Sequence, residues 1–263
     1  MQIGFIGAGN MAGAVMTGIV SAGLFPPSQI AFFDTAPEKQ EQWREKGYLS
    51  ATLEEIAQCP YVFFGVKPQG IDGVLEQIRP FLRKETVFLS ILAGISSAYL
   101  KKGLGFDAKV VPVMPNLPLQ LGCGAAALAH VPPVSREEFD FARSLFSCGG
   151  LAVELPEEKL NESIGIQGST PAFLFRFARC VTEFAREQGI DEASALRLFA
   201  QTMAGSAKML LEGGKTPEEL IRMVSSPGGT TLEGLAALDK GGFDDTIRIA
   251  LEASVRRAYE LGR

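Results

Sequence analysis

Six residues near the start of the chain, Gly7-Ala8-Gly9-Asn10-Met11-Ala12, have the spacing with which backbone amides cradle a pyrophosphate. Gly7 permits a tight turn, and Gly9 leaves the backbone bare for the ligand. Ala12 is small enough for a helix to pack closely on a strand. The motif follows an apolar run ending at Ile6 and opens a stretch in which Met11, Val15 and Ile19 recur every four residues. It therefore sits where a strand meets the N-terminus of a helix, the place at which free N–H groups and the helix dipole favour an anion. Asp34 lies about twenty residues further on, at the end of the next apolar run, where an acid hydrogen-bonds ribose hydroxyls and repels an added phosphate. Thr35 beside it offers a hydroxyl to such a phosphate, and no arginine follows closely. Taken by itself the pair favours NADH and leaves NADPH open.

The elements that must position this motif are legible in the hydrophobic pattern. Apolar runs at Ile3–Ile6, Ile30–Phe33, Tyr61–Val66, Val87–Leu92, Val110–Met114, Gly124–Ala129 and Leu151–Val153 predict strands. The central ones are continuously apolar, as in a parallel sheet covered on both faces. Helical patterns alternate with them, and Thr52 with Glu55 and Ser135 with Glu138 have capping-box spacing. The expectation is a Rossmann-like α/β domain, a doubly wound sheet, over residues 1–155. Beyond Pro156 the pattern has no strand. Breakers at 189–191, 213–214, 226–229 and 241–242 separate helical stretches, which predicts an all-α domain over 156–263. The stretch Pro171–Gln188 carries Phe173, Phe177, Val181 and Phe184 on one side with Leu174 and Ala178 beside them. So broad an apolar face calls for a partner surface, and a homodimer through this half is expected, with a higher assembly of dimers left open.

Composition excludes several classes. The 263 residues are 46% hydrophobic and 21% charged with a net charge of −5, which leaves no basic field for nucleic acid. Cys59, Cys123, Cys148 and Cys180 form no C-x-x-C pair and no histidine cluster joins them, so neither a metal site nor a disulfide framework is expected. The chain starts on a strand-like run, with no leader pattern and no apolar run of transmembrane length, so a cytoplasmic protein is expected. The single histidine, His130, lies in a Pro-flanked loop and reads as structural. An alcohol dehydrogenase needs a His, Lys or Tyr acid–base group. Reduction of an iminium does not, because its nitrogen is already protonated and its carbon already electrophilic.

The stretch from Pro217 to Asp239, PEELIRMVSSPGGTTLEGLAALD, resembles the signature of the pyrroline-5-carboxylate reductase family. The fingerprint above, Val66-Lys67-Pro68, Met114-Pro115-Asn116 and Gly168-Ser169-Thr170-Pro171-Ala172 extend the resemblance over nearly the whole chain. It implies a Rossmann-like domain with an α-helical dimerisation domain, possession of NADPH or NADH as cofactor, and reduction of 1-pyrroline-5-carboxylate to L-proline. A six-membered cyclic imine stays open as a substrate. Ser226, Gly228, Gly229, Thr230 and Thr231 are implied to bind substrate. The amides of the glycines would take its carboxylate, and the Thr231 hydroxyl would lie by the ring nitrogen as the catalytic contact. Ile6 to Ala12, Asp34, Thr35, Gly65, Val66, Lys67, Pro68, Ala93, Gly94 and Asn116 are implied to line the cofactor, Ala93 and Gly94 by being small. Two departures stand out: Thr170 where the family often has glycine, and Asp34 where many members use NADPH. A β-hydroxyacid dehydrogenase shares the expected layout, but it needs a lysine in the interdomain helix and Gly165–Ala178 has none. A non-enzymatic dinucleotide sensor would give no reason for Ser226–Thr231.

Overall fold

The computed structural model describes residues 1–262. Eight strands, β1 (Ile3–Ile6), β2 (Ile30–Phe33), β3 (Leu49–Ser50), β4 (Tyr61–Phe64), β5 (Val87–Ser90), β6 (Lys109–Pro115), β7 (Gly124–Leu128) and β8 (Gly150–Glu154), form one sheet in the order β3-β2-β1-β4-β5-β6-β7-β8. All neighbours are parallel except β6 and β7. Helices α1 (Asn10–Ser21), α2 (Pro37–Glu45), α3 (Leu53–Ala57), α4 (Ile71–Ile78), α5 (Ser97–Leu104) and α6 (Arg136–Ser147) connect them. After the sheet come α7 (Leu160–Ser163), a π-helical turn at Ile164–Gly168, α8 (Thr170–Glu187), α9 (Glu192–Glu212), α10 (Pro217–Met223), α11 (Thr230–Lys240) and α12 (Phe243–Leu261).

The sheet buries both faces, as its continuous apolar runs require. Phe5, Phe32 and Phe63 pack with Val15, Met16 and Ile19 of α1 and Phe139 and Phe146 of α6. Ile6, Val62, Phe64 and Phe88 pack with Ile56, Leu75, Ile78 and Leu100 of α3, α4 and α5 on the other side. The register pairs Phe5 with both Phe32 and Phe63, and the Phe5 and Phe63 rings lie 4.7 Å apart. Both expected capping boxes form, Thr52 with Glu55 and Ser135 with Glu138. The short edge strand β3 has no counterpart among the predicted strands, because two residues show no period.

The chain divides into two compact units. One is Met1–Pro171 together with the chain from Glu252 onward; the other is Ala172–Leu251. The first therefore extends past residue 155, where the change in sequence pattern was drawn. Glu157 accounts for part of this, since its carboxylate accepts from Ser97 N at 2.7 Å and from Ser97 Oγ at 2.8 Å at the start of α5. Gln167, in the π-helical turn, donates to the Met114 carbonyl on β6 at 2.8 Å. At the end of α12, the Tyr259 hydroxyl reaches Glu162 at 3.1 Å.

The second unit is all helical. Only small residues are buried in it, Ala178, Ala185 and Ala195. Phe177 and Phe199 meet edge to face at 4.9 Å. Thr216, ahead of Pro217, caps α10 in a third capping box with Glu219. No described helix is long and apolar enough to cross a membrane.

Candidate active site

The chain reverses its winding at β1, which lies between β2 and β4. In an open α/β sheet the crevice beyond the carboxyl ends of such strands is the ligand site. Gly7 follows β1 and Gly65 follows β4 at this edge, and they are tied to their neighbours by Gly7 N to Phe33 O (2.7 Å) and Gly65 N to Ile6 O (2.8 Å). Gly7 has φ +95°, and a Cβ on it would lie 2.7 Å from the Gly65 carbonyl carbon, so no other residue fits the turn. Ala12 permits the close packing its size suggests: a Cβ placed on Gly65 would lie 3.0 Å from the Ala12 Cβ.

A cavity of about 450 Å³ opens here, lined by Ile6, Gly7, Gly9, Asp34, Thr35, Gly65, Val66 and Lys67 of the predicted residues, with Lys39 added. A second, of about 260 Å³, flanks the same loop and is lined by Ala8, Gly9, Asn10, Lys39 and Trp43. The residues fit a dinucleotide. Nothing lies within 4 Å of a Cβ built on Gly9, so the backbone there faces open space that a side chain would fill. Gly9 is the N-cap of α1, with no side-chain cap and no acid in the first turn, which leaves the helix amides for an anion.

Asp34 is anchored. Its Oδ2 accepts from Ala8 N at 2.8 Å and its Oδ1 from Ala36 N at 3.0 Å. Trp43 donates Nε1–H to the Ala8 carbonyl at 3.2 Å and packs against Gly13 of α1. Neither Lys39 nor Trp43 figures among the predicted residues. The sequence signal for Lys39 is a cation five residues after Asp34, in the first turn of α2.

The other predicted cofactor residues are dispersed. Ala93 lines a separate cavity with Ile164, Ser169 and Ala258. Gly94, with φ +76°, admits a close neighbour, and that neighbour is the chain's own α12: a Cβ there would lie 2.9 Å from the Ala258 carbonyl oxygen. Asn116 is 8% exposed and bridges three segments, its Oδ1 accepting from Ala125 N (2.8 Å) and its Nδ2 donating to the Gln167 carbonyl (3.2 Å). Met11 is half-buried in the first turn of α1, and Pro68 opens a short helical turn after Lys67. His130 has a ring nitrogen 2.8 Å from the Val134 carbonyl, as a structural residue would.

In the helical unit, Gly228 has φ +70° and Gly229 N donates to Ser226 O at 2.9 Å, so residues 226–229 form a turn. Gly229 caps α11 without a side-chain hydrogen bond. Ser226, Gly228, Thr230 and Thr231 are exposed and Gly229 half-exposed, with the two threonines in the first turn of α11. The Thr170 hydroxyl, the departure noted in the sequence, donates to the Gly165 carbonyl at 2.7 Å and secures the π-helical turn.

Residues 157–261 match the family described as pyrroline-5-carboxylate reductase dimerisation, and residues 2–94 match NADP oxidoreductase coenzyme F420-dependent. The chain is 37% identical to pyrroline-5-carboxylate reductase 3 of Danio rerio over all of its own length and 92% of the relative's. Among solved structures, the pyrroline-5-carboxylate reductase of Coxiella burnetii superposes with a TM-score of 0.92 at 29% identity, covering 100% of this chain and 98% of that one. The pyrroline carboxylate reductase of Plasmodium falciparum with NADP bound gives 0.91 at 26% identity, with the same coverage of both chains.

Proposed function

The chain belongs to the pyrroline-5-carboxylate reductase family, and we propose that it performs that reduction with the loop at Gly7–Ala12 holding the coenzyme and the turn at Ser226–Thr231 holding the substrate. It is an NAD(P)H-dependent oxidoreductase that converts 1-pyrroline-5-carboxylate to L-proline. When bound, the reduced nicotinamide supplies the hydride, which goes to the imine carbon.

The observation that carries the residue assignment is the open, uncapped start of α1 at a glycine whose missing side chain leaves a cradle. Gly65, Val66 and Lys67 close the same cavity from β4. The chain's work is then to place the imine and to balance its charges. The amides of Gly229 and Thr230 at the start of α11 suit the substrate carboxylate. The Thr231 hydroxyl suits the ring nitrogen. A protonated imine needs no strong acid, so positioning and electrostatic complementarity carry the rate. Gly94 and Asn116 remain in this reading as residues on the cofactor side; Gly94 lies against the Ala258 carbonyl, and Asn116 is bonded to Gln167 and Ala125.

Homodimerisation through the helical unit is part of the reading, supported by the matched dimerisation family and by the exposed apolar residues of α8 and α9. A cytoplasmic setting is proposed on the four cysteines, all free thiols. The testing experiment is coenzyme oxidation on adding 1-pyrroline-5-carboxylate, with proline identified as product. Thr231→Ala is expected to lower kcat about a hundredfold, the scale of one positioned catalytic contact, while coenzyme affinity stays unchanged. Unaltered turnover would remove Thr231 from the site.

A further inference from the structure

An acid at the end of the second strand of a dinucleotide fold ordinarily excludes a ribose phosphate by its charge. Here that charge is engaged elsewhere. Both Asp34 oxygens accept backbone N–H groups, from Ala8 and Ala36, and the side chain is 11% exposed. Lys39 Nζ stands 3.8 Å from Oδ2. Ala8 is held on both sides, its N–H by Asp34 at 2.8 Å and its carbonyl by Trp43 at 3.2 Å. The acid and the indole thus fix one residue of the pyrophosphate loop.

Lys39 is placed differently. Its side chain is 41% exposed, against 11% for the acid it pairs with, and it lines both cavities that flank the loop. A half-exposed ion pair at this distance contributes little, so the ammonium gives up little by turning toward a phosphate dianion. Thr35 lines the larger cavity with it. The other cation lining that cavity, Lys67, follows β4, on the far side of β1 from β2.

We propose that Lys39, with Thr35, recognises the 2′-phosphate of NADPH and sets coenzyme preference, and that Asp34 is a positioning residue for the fingerprint loop. This rests on the dinucleotide reading of the site and names the specificity group within it. On this proposal the coenzyme choice that Asp34 leaves open in the sequence falls to NADPH, because the carboxylate is occupied by the Ala8 and Ala36 amides.

The test measures binding apart from turnover. Trp43 is the single tryptophan of the chain and touches the loop, so its fluorescence reports coenzyme binding, and calorimetry with the same coenzymes checks it. The wild type is expected to bind NADPH more tightly than NADH. Lys39→Met is expected to weaken NADPH about tenfold, the scale of one charge-assisted hydrogen bond, with NADH changed less than about twofold. Lys39→Arg is expected to restore NADPH affinity. Lys67→Met is expected to weaken both coenzymes alike, and so is Asp34→Asn. Equal effects of Lys39→Met on the two coenzymes, or none, would overturn the proposal. So would a selective gain in NADPH affinity on Asp34→Asn, since that marks an excluding acid. Failure of the wild type to bind either coenzyme would instead overturn the dinucleotide reading itself, and with it the role of Lys39.

Discussion

In the sheet unit, Phe5, Phe63 and Phe146 have no accessible surface; in the helical unit, Phe175, Phe177 and Phe184 are 59%, 50% and 61% exposed. The residue types are the same, and the difference lies in what each architecture can cover. A parallel sheet with crossovers receives helices on both faces from its own chain, so every large apolar side chain finds a layer above or below it. The helices of the second unit bury only alanines and leave Leu198, Leu211 and Phe184 exposed. Apolar surface on that scale suits the association proposed for this unit. The two units also differ in what they offer a ligand. The first supplies backbone amides at a sheet edge, within a core complete in one chain. The second carries the exposed turn at Ser226–Thr231 proposed for the substrate.

The largest effect expected from this contrast is in the sheet. Phe63→Ala removes a wholly buried ring packed between Phe5 and Phe146, and should cost about 3–5 kcal/mol. Denaturant unfolding should show the loss at every protein concentration. A cost below about 1 kcal/mol would mean the sheet core is less closely packed than its burial implies.

The helical unit should respond in the opposite manner. Phe184→Glu together with Leu198→Glu is expected to leave the helical circular dichroism intact while weakening self-association by at least about tenfold, as loss of central apolar contacts does. Light scattering across a dilution series reads this directly. A wild-type chain that is monomeric at all concentrations would break the comparison, and the exposed phenylalanines would then need another partner.

The sequence showed the sheet more clearly than the helices' roles, for a physical reason. A doubly buried strand has few apolar alternatives, so β1 and β2 have the bounds that their apolar runs predict. β4 stops at Phe64, two residues early, because Gly65 and Val66 turn away to form the cavity wall. The π-helical turn at Ile164–Gly168 had no signal, since a wider turn leaves the residue types of an α-helix unchanged. The fingerprint was legible because its glycines are demanded by backbone geometry. Lys39 was not, because a lysine on a helix reads as solvated surface until the cavity beside it is seen. The bracing of Ala8 by Trp43 links residues 35 positions apart, a contact that local spacing does not encode.

The smallest expected effects compare helix caps in the two units. Ser135→Ala at α6 and Thr216→Ala at α10 each remove a capping hydroxyl and should each cost about 1 kcal/mol at neutral pH. Only the first has a buried-side cation. Glu138 accepts from Ser135 N at 2.9 Å and pairs with Lys109. Partial burial alone would raise its pKa, but the hydrogen bonds from Lys109 and Ser135 and the Lys109 charge outweigh that and lower it. A carboxylate held below its unfolded value contributes stability that is present above that value and lost as the pH falls through the folded one. Lys109→Met should therefore destabilise the sheet unit at neutral pH and lose its effect in the acid range below about pH 4, where carboxyl groups of this kind protonate. Midpoints measured at neutral and at acid pH separate the two possibilities. If the penalty of Lys109→Met persists undiminished in acid, the lysine acts through its packed methylenes between β6 and α6, and the ion pair with Glu138 contributes nothing.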